Sequence, residues 1–268
     1  MALIADIFVT SKGVDREGRS RCPLAVRSLR SLLNNTKRDQ FRLTVCVDGT
    51  DLFEGSAAGE FLEVVLGKLE ANFLLQSKQN VGLGPTINRA LSHIDSLKNW
   101  DESSVPLTVY CQDDLIYSDG WLERLARPYL QLKDQLKLGF ATGATCPEHK
   151  ETIRQQLPNG MVLQDWIRAT CLMADHRYWM SMWPISRIDP ETGRERGKPG
   201  NGLGSSVDWW FVRNHPNSVC RTGRTNLVIP GLVLHDGFDQ STWLNANLPE
   251  TAEDIARINE AREQLVEP

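Results

Sequence analysis

The sequence predicts an α/β protein with a mainly parallel, Rossmann-like sheet that is covered by helices on both faces. The first observation is the alternation of strand-like and helix-like segments through residues 1–145, which is typical of such a sheet. The second is the composition, since 41% hydrophobic and 24% charged residues suit a chain of 268 residues that buries a large core. The third is a change after residue 150, where short strands and a long polar loop replace the alternation and predict a smaller, irregular region.

The first elements are predicted from the spacing of apolar residues and from the residues that begin helices. Residues 5–10 (ADIFVT) predict the first strand, and Pro23 opens a helix whose apolar positions, such as Leu29 and Leu32, repeat near every 3.6 residues. We then expect a strand at residues 42–48 (RLTVCVD), a helix at about 57–71 and a strand at NFLLQS.

The later elements follow in the same way. Residues 83–98 predict a helix, LTVYCQ the fourth strand, residues 119–136 a helix and LGFATGA a further strand. Beyond residue 150 we expect strands at ATCLMA and NLVIPGLVL, a Trp-rich helix near 206–213 and a polar loop at 186–206. This loop is either a lid over the diphosphate or a flexible solvent loop. The whole chain, 1–268, is predicted as one domain with halves at 1–145 and 146–248 and a C-terminal helix at 249–268.

Charge and cysteine usage narrow the class of protein. A net charge of −4 gives no general signature of nucleic-acid binding, although residues 1–47 carry an excess of basic groups that suits either a phosphate-bearing ligand or a solvated helix face. The start MALIADIFVT resembles a strand rather than a signal peptide, and no apolar run is long enough to span a bilayer. The six cysteines are scattered, and Cys46, Cys111 and Cys171 lie in apolar runs, which predicts reduced core thiols in a cytoplasmic protein without membrane insertion.

Carboxylates stand at the predicted strand ends. Asp48 closes the second strand, and Asp113 and Asp114 follow the fourth. Ligands of open parallel sheets bind beyond these ends, and two neighbouring carboxylates would repel each other without a cation. A divalent ion such as Mg²⁺ or Mn²⁺, which bridges carboxylates to phosphates, fits this pattern. The alternative is a turn and a helix cap, but Asp119 is expected to supply that cap.

Several blocks of the sequence resemble one enzyme family in order and spacing. They are SLRSLLNNTKRDQFRLTVCVDGTD, NVGLGPTINRAL, YCQDDLIYSDGWLERL, SSVDWWF and VLHDGFDQSTW, which together span roughly residues 3–245. The chain thereby resembles the metal-dependent, nucleotide-sugar glycosyltransferases of the GT-A fold, closest to the family 2 type. The resemblance implies a nucleotide-sugar-binding half at 1–145 and an acceptor-side catalytic half at 146–248.

The resemblance also implies roles for individual residues. Asp114 and His235 match the metal ligands, Asp208 matches the general base, and Trp209 and Trp210 are expected to contact the acceptor. The implied donor-binding residues, from the base pocket to the diphosphate, are Thr10, Asp48, Asn80, Gly82, Asn88, Arg89, Gln112 and Asp113.

One position departs from the family pattern. The first residue of its Asp-x-Asp motif is Gln112 here, an amide that still forms hydrogen bonds, while Asp113 partly replaces the missing carboxylate. An imidazole ligand at His235 favours Mn²⁺ over Mg²⁺, because nitrogen suits the softer ion.

The resemblance implies an inverting glycosyltransferase that moves a hexosyl or pentosyl group from a nucleotide sugar, with UDP expected, to an acceptor hydroxyl. The acceptor stays open among glycans, lipid-linked intermediates, small molecules, proteins and modified bases in DNA. Two alternatives are a sugar-phosphate nucleotidyltransferase, for which TSKGVDREGR is a loose match to the required glycine-rich loop, and a degenerate, non-catalytic nucleotide-sugar-binding protein, suggested by Gln112.

Overall fold

The structure is a computed structural model that describes residues 3–12, 20–49, 73–78, 81–98, 106–144, 152–186 and 210–236. Within these residues a nine-stranded sheet has the order β3-β2-β1-β4-β9-β6-β10-β8-β7, and β5 pairs with β11 in a small second sheet. The strands are β1 Ala5–Lys12, β2 Phe41–Asp48, β3 Phe73–Ser77, β4 Leu107–Gln112, β5 Leu115–Tyr117, β6 Leu138–Thr142, β7 Ile153–Gln156, β8 Val162–Gln164, β9 Cys171–Asp175, β10 Thr225–Val228 and β11 Val233–His235.

Four strands at one side of the large sheet are parallel. Ala5 of β1 lies opposite both Phe41 of β2 and Leu107 of β4, and β3 joins β2 in the same direction. Strands β9 and β8 run the opposite way, whereas β6 and β10 are parallel to each other. The predicted α/β class with a mainly parallel sheet is confirmed. The carboxyl ends of β1, β2 and β4 meet at one edge, which we call the carboxyl edge.

The described helices are α1 Cys22–Asn34, α2 Leu83–Leu97, α3 Trp121–Leu132 and α4 His176–Ser181. In α1 a proline stands in the first turn, where a missing N–H carries no penalty, and the periodic leucines Leu29 and Leu32 are fully buried. Helix α2 buries Ile87, Ala90 and Leu91 in the same way. Burial of these apolar stripes against the sheet is the physical reason that the predicted helices form.

The structure differs from the sequence predictions at three boundaries. Helix α3 begins at Trp121, because its N-cap is Gly120 in a left-handed conformation with φ of 61°, and Asp119 does not supply the predicted cap. The run NLVIPGLVL is two strands in different sheets, since the chain turns at Gly231, where φ is 77°. Of the Trp-rich helix predicted near 206–213, residues 206–209 lie outside the described residues, and Trp210–Asn214 form a π-helical turn.

Other predictions lie outside the described residues. These are the helix at 57–71, the lid loop from 187 onward and the C-terminal helix. In the described part of the chain Cys46, Cys111 and Cys171 are buried free thiols, as predicted for core cysteines. No helix in the described ranges is long and apolar enough to span a membrane.

Candidate functional site

Two carboxylates leave the carboxyl edge together at the end of β4. Asp113 is 4% exposed and Asp114 is 3% exposed. Because Thr10 of β1 lies opposite Gln112 of β4, the next residue of β1 stands beside the acids. Its hydroxyl, Ser11 Oγ, donates to Asp113 Oδ2 at 2.7 Å. The acids are therefore held inside the fold by the parallel pairing of β1 and β4.

The small sheet brings His235 to the same place. Antiparallel pairing of β5 with β11 sets His235 opposite Leu115, the residue after Asp114. The backbone N–H of Asp236 donates to the Asp114 carbonyl at 2.7 Å, which fixes the register. As a result His235 Nε2 lies 3.3 Å from Asp114 Oδ2. The two residues to which the family resemblance gives the metal thus share one location, although 121 positions separate them in the sequence.

Arg21 joins the two acids and was not predicted from the sequence. Its Nη2 donates to Asp113 Oδ1 at 2.9 Å and to Asp114 Oδ2 at 2.7 Å. Asp113, opposed by burial and aided by Asp114, raises the pKa of the Arg21 guanidinium above its ordinary value. The available signal was weak: a basic residue at the start of the helix after β1, in a protein whose adjacent carboxylates require a cation.

The charge state and the bonding of Asp114 suit a cation. Burial by itself would raise the pKa of Asp114, but His235 and Arg21 outweigh burial and hold that pKa below its usual value. Its Oδ1 is buried and has no hydrogen-bond partner within the described part of the chain. Among those residues no group of three metal-ligating side chains occurs. Asp114 and His235 therefore fit a metal ion only as a pair of ligands, with the remaining positions left to water or to phosphate oxygens.

Asp48, the predicted partner of the nucleotide base, is engaged with the backbone. Its Oδ1 accepts the N–H of Val81 and its Oδ2 accepts the N–H of Gly82, both at 2.8 Å. Gly82 precedes α2 with φ of 89°, a conformation that favours glycine. Asp48 thus anchors the start of α2 at the carboxyl edge. Each carboxylate oxygen has a further lone pair, and its contact with a base stays a prediction, while Asn80 lies outside the described residues.

Asn88 and Arg89 of α2 also contact backbone. The Asn88 amide donates to the Ile185 carbonyl at 2.8 Å and accepts the Ile185 N–H at 2.7 Å, which ties α2 to the segment before the predicted lid. Arg89 Nη2 lies 3.4 Å from the Val47 carbonyl and 3.5 Å from the Leu75 carbonyl, so it bridges β2 and β3. Both side chains are engaged with backbone, and their contacts with a donor stay predictions.

The remaining donor-side residues lie on the strands. Thr10 Oγ1 donates to the Tyr110 hydroxyl at 3.4 Å, and the Gln112 amide donates to the Ala169 carbonyl at 3.2 Å. Gln112 is half-buried, and its amide joins β4 to the segment before β9. This explains how a glutamine is accommodated at that position.

Trp210 is buried in the core. It is 5% exposed, and its indole N–H donates to the Met182 carbonyl at 3.0 Å. Little of its ring is accessible to a ligand, so its burial does not support the predicted contact with an acceptor. Asp208 and Trp209 lie outside the described residues, and their predicted roles stay untested.

Part of the basic excess at the N-terminus is used inside the protein. Besides Arg21, Arg27 Nε pairs with Asp236 Oδ2 at 3.1 Å and Arg42 Nε pairs with Asp6 Oδ1 at 2.6 Å. These internal pairs reduce the positive charge that the region presents to an external phosphate-bearing partner.

Known proteins match this chain in structure but not in sequence. No protein-family model and no curated protein matches the sequence. Among solved structures, the crystal structure of GalNAc-T7 with UDP, GalNAc and Mn²⁺ is similar, with a TM-score of 0.47 and 8% sequence identity. The alignment covers 97% of this chain and 48% of the other, so the chain spans about half the length of that protein.

Proposed function

We propose that the protein is a metal-dependent glycosyltransferase of the GT-A type that transfers a sugar from a nucleotide sugar, with UDP as the expected nucleotide, to an acceptor hydroxyl. The observation that supports this function best is the convergence of Asp114 and His235 at the carboxyl edge, where Asp114 Oδ1 is buried and lacks a hydrogen-bond partner among the described residues. This edge is where open α/β sheets bind nucleotides.

The proposed donor site places the diphosphate beside these two ligands. Asp114 and His235 would hold a divalent ion, with Mn²⁺ favoured because one ligand is an imidazole. When bound, such an ion acts as a Lewis acid that neutralises charge on the leaving diphosphate. Asp48 keeps the loop before α2 at the rim through its two backbone hydrogen bonds, and the nucleoside would lie between this loop and Thr10.

The proposed chemistry needs one proton acceptor. Asp208 would remove the proton from the acceptor hydroxyl as that hydroxyl attacks the anomeric carbon from the face opposite the diphosphate. The bond from the acceptor oxygen to the anomeric carbon forms as the bond to the diphosphate oxygen breaks, so the configuration inverts. General-base catalysis of this kind contributes roughly 10²–10⁴-fold.

We expect Trp209 to contact the acceptor, and the segment 186–206 to close over the donor as a lid. Glycans, lipid-linked intermediates, small molecules, proteins and modified bases in DNA stay open as acceptors. A DNA acceptor predicts a steep loss of affinity with salt, because each neutralised phosphate releases counterions.

A second candidate function is a nucleotide-sugar-binding protein without transferase activity. Two contacts favour it: the Gln112 amide donates to the Ala169 carbonyl, and Arg21 pairs with the carboxylates that would hold the ion. It predicts tight, metal-insensitive binding of the donor without release of UDP.

The test combines binding with turnover. A thermal-shift panel of UDP-glucose, UDP-galactose and UDP-N-acetylglucosamine, with and without Mn²⁺, identifies the donor, and chromatography then measures UDP release. The proposed function predicts that Mn²⁺ increases the shift with one donor and that slow UDP release requires the ion. Binding that is equal with and without Mn²⁺, together with no UDP release, would favour the second candidate.

Two substitutions separate the parts of the site. Asp114→Asn keeps the shape of the side chain and removes a ligand, so we expect the Mn²⁺-dependent shift to disappear. Asp208→Asn is its matched control, because it should keep the shift and lower transfer by roughly 10²–10⁴-fold. An unchanged metal-dependent rate of UDP release in Asp114→Asn would refute the metal assignment. An unchanged rate of sugar transfer in Asp208→Asn would place the general base elsewhere.

A further inference from the structure

Arg21 lies where a cation is needed between the two carboxylates. A single nitrogen, Nη2, bridges Asp113 Oδ1 and Asp114 Oδ2 at 2.9 and 2.7 Å. The side chains of all three residues are buried, with Arg21 at 8% exposure. The bridge is therefore a buried ion pair at the carboxyl edge and not a surface ion pair.

The bridge uses the oxygen that faces His235. Asp114 Oδ2 accepts from Arg21 and also lies 3.3 Å from His235 Nε2, while Asp113 Oδ2 is occupied by the Ser11 hydroxyl. His235 Nε2 lies beside Asp114 Oδ2, so an ion held by both side chains would use this oxygen, while Oδ1 of the same carboxylate would stay available as a second ligand atom. Arg21 and a divalent ion therefore compete for one oxygen.

The charges at the bridge are unequal. Two carboxylates carry two negative charges and the guanidinium carries one positive charge, whereas a divalent ion would balance both. A guanidinium is weakly hydrated and binds phosphate oxygens as readily as carboxylates, so it gains a new partner when a diphosphate arrives.

The backbone that carries Arg21 is fixed. Arg21 is the N-cap of α1, and α1 is joined to β5 through Ser28 Oγ, which accepts the Leu115 N–H at 3.2 Å, and Ser31 Oγ, which accepts the Tyr117 N–H at 2.9 Å. Because α1 is held in this way, the Arg21 side chain would have to rotate to release the bridge while its backbone stays in place.

We infer that Arg21 is the counter-cation of the carboxylate pair in the free protein and that a divalent ion must displace it from Asp114 Oδ2 in order to bind. The inference rests on the proposed function, because it takes Asp114 as a metal ligand. Arg21 is a positioning residue in this account. It lowers the affinity of the free protein for the ion, and the donor diphosphate restores that affinity by accepting the released guanidinium.

The test measures binding of Mn²⁺ directly, from the electron paramagnetic resonance signal of the free ion, with and without UDP. For Arg21→Gln without UDP we expect about tenfold tighter binding than in the unmutated protein, the size of one lost charged hydrogen bond. UDP should tighten binding of Mn²⁺ less in Arg21→Gln than in the unmutated protein, because the coupling through the guanidinium is lost.

Arg27→Gln is the matched control. Arg27 lies on the same helix and pairs with Asp236, next to His235, so this variant removes the same charge nearby without changing the bridge. We expect its affinity for Mn²⁺ to stay within about threefold of the unmutated value. If it tightened binding as much as Arg21→Gln does, general electrostatics would replace the competition and the inference would be wrong.

The remaining outcomes separate the inference from the proposed function. One outcome is that Arg21→Gln binds Mn²⁺ no more tightly than the unmutated protein, while Asp114→Asn abolishes the binding. This outcome overturns the competition but supports the metal site. No Mn²⁺ binding by either protein, even with UDP, overturns the metal site itself. If Arg21→Gln does not fold, Arg21→Lys replaces it in the test. The compact lysine ammonium bridges the two carboxylates less well, so we expect this variant to bind Mn²⁺ about threefold more tightly than the unmutated protein. No gain in affinity in Arg21→Lys would also contradict the competition.

Discussion

Two buried charge clusters lie at opposite ends of β1 and β4, and their charges are balanced differently. The carboxyl-edge cluster consists of Arg21, Asp113, Asp114 and His235. The amino-edge cluster consists of Asp6, Arg42 and Lys98, where one carboxylate meets two cations.

The amino-edge cluster is closed. Asp6 Oδ1 accepts from Arg42 Nε at 2.6 Å, and Asp6 Oδ2 accepts from Arg42 Nη2 at 2.9 Å and lies 3.0 Å from Lys98 Nζ. Both carboxylate oxygens are therefore satisfied by the chain itself. At the carboxyl edge, Asp114 Oδ1 has no such partner within the described residues. The comparison indicates that the amino-edge cluster serves stability, whereas the carboxyl-edge cluster retains capacity for a ligand.

The largest expected effect comes from removing the carboxylate charge of the amino-edge cluster. Asp6→Asn removes the negative charge from between Arg42 and the buried Lys98, so we expect the free energy of unfolding to fall by about 3–5 kcal/mol. Asp114→Asn should lower it by less than half as much, because Arg21 keeps Asp113 as a carboxylate partner. Urea unfolding of both variants measures the difference, and equal losses would show that the two clusters do not differ in this way.

The second largest expected effect concerns the dependence of stability on pH. His176 lies next to the amino-edge cluster, with Nδ1 2.8 Å from Thr108 Oγ1 and Nε2 3.3 Å from Asp95 Oδ1. Burial, aided by Lys98 and opposed by Asp95, lowers the pKa of His176 below its ordinary value.

The sign follows from this lowered pKa. Below about pH 6.5 the unfolded chain protonates His176 more readily than the folded protein does, so acidification favours unfolding, by at most about 1.4 kcal/mol for each pH unit. We expect urea midpoints at about pH 7.5 and about pH 5.5 to differ less in His176→Gln than in the unmutated protein. An identical loss of stability on acidification in the variant would contradict the prediction. His93 and His215, whose pKa values are also lowered, are present in both proteins.

The smallest expected effect concerns an ion pair at the rim. Lys133 Nζ lies 2.9 Å from Asp175 Oδ2, but these side chains are 26% and 30% exposed. Solvent screens such a pair, so Lys133→Met should change the free energy of unfolding by less than about 1 kcal/mol. A loss in urea unfolding as large as that of Asp6→Asn would mean that burial does not distinguish the amino-edge cluster from its surroundings.

Much of the fold could be predicted because local periodicity determines it. The strands around Leu43, Val109 and Phe140 and the helices around Leu29 and Leu91 have the apolar patterns of buried elements, and the structure confirms them. The reversed direction of β9 was not predicted, because an apolar run does not encode the direction of its strand. The division of NLVIPGLVL depends on pairing with two different partners, which lie far away in the sequence.

The site could be predicted only in part. Adjacent acids at the end of a strand were visible in the sequence, and so was a histidine in a family-like block. The ion pair of Arg21 was not visible, because 92 and 93 positions separate Arg21 from its partners. Asp48 was predicted from its place at a strand end and Asn88 from resemblance, and neither reveals that both bind backbone in this structure.

The central claim is that Asp114 and His235 together bind a divalent ion at the carboxyl edge. Anomalous X-ray diffraction from crystals of the protein grown with Mn²⁺ and UDP tests it most directly. The account predicts one manganese peak at ligand distance, about 2.0–2.4 Å, from a carboxylate oxygen of Asp114 and from His235 Nε2, with the Arg21 guanidinium moved away from Asp114 Oδ2. UDP bound at this edge without a manganese peak there, and with Arg21 still bridging both carboxylates, would contradict it.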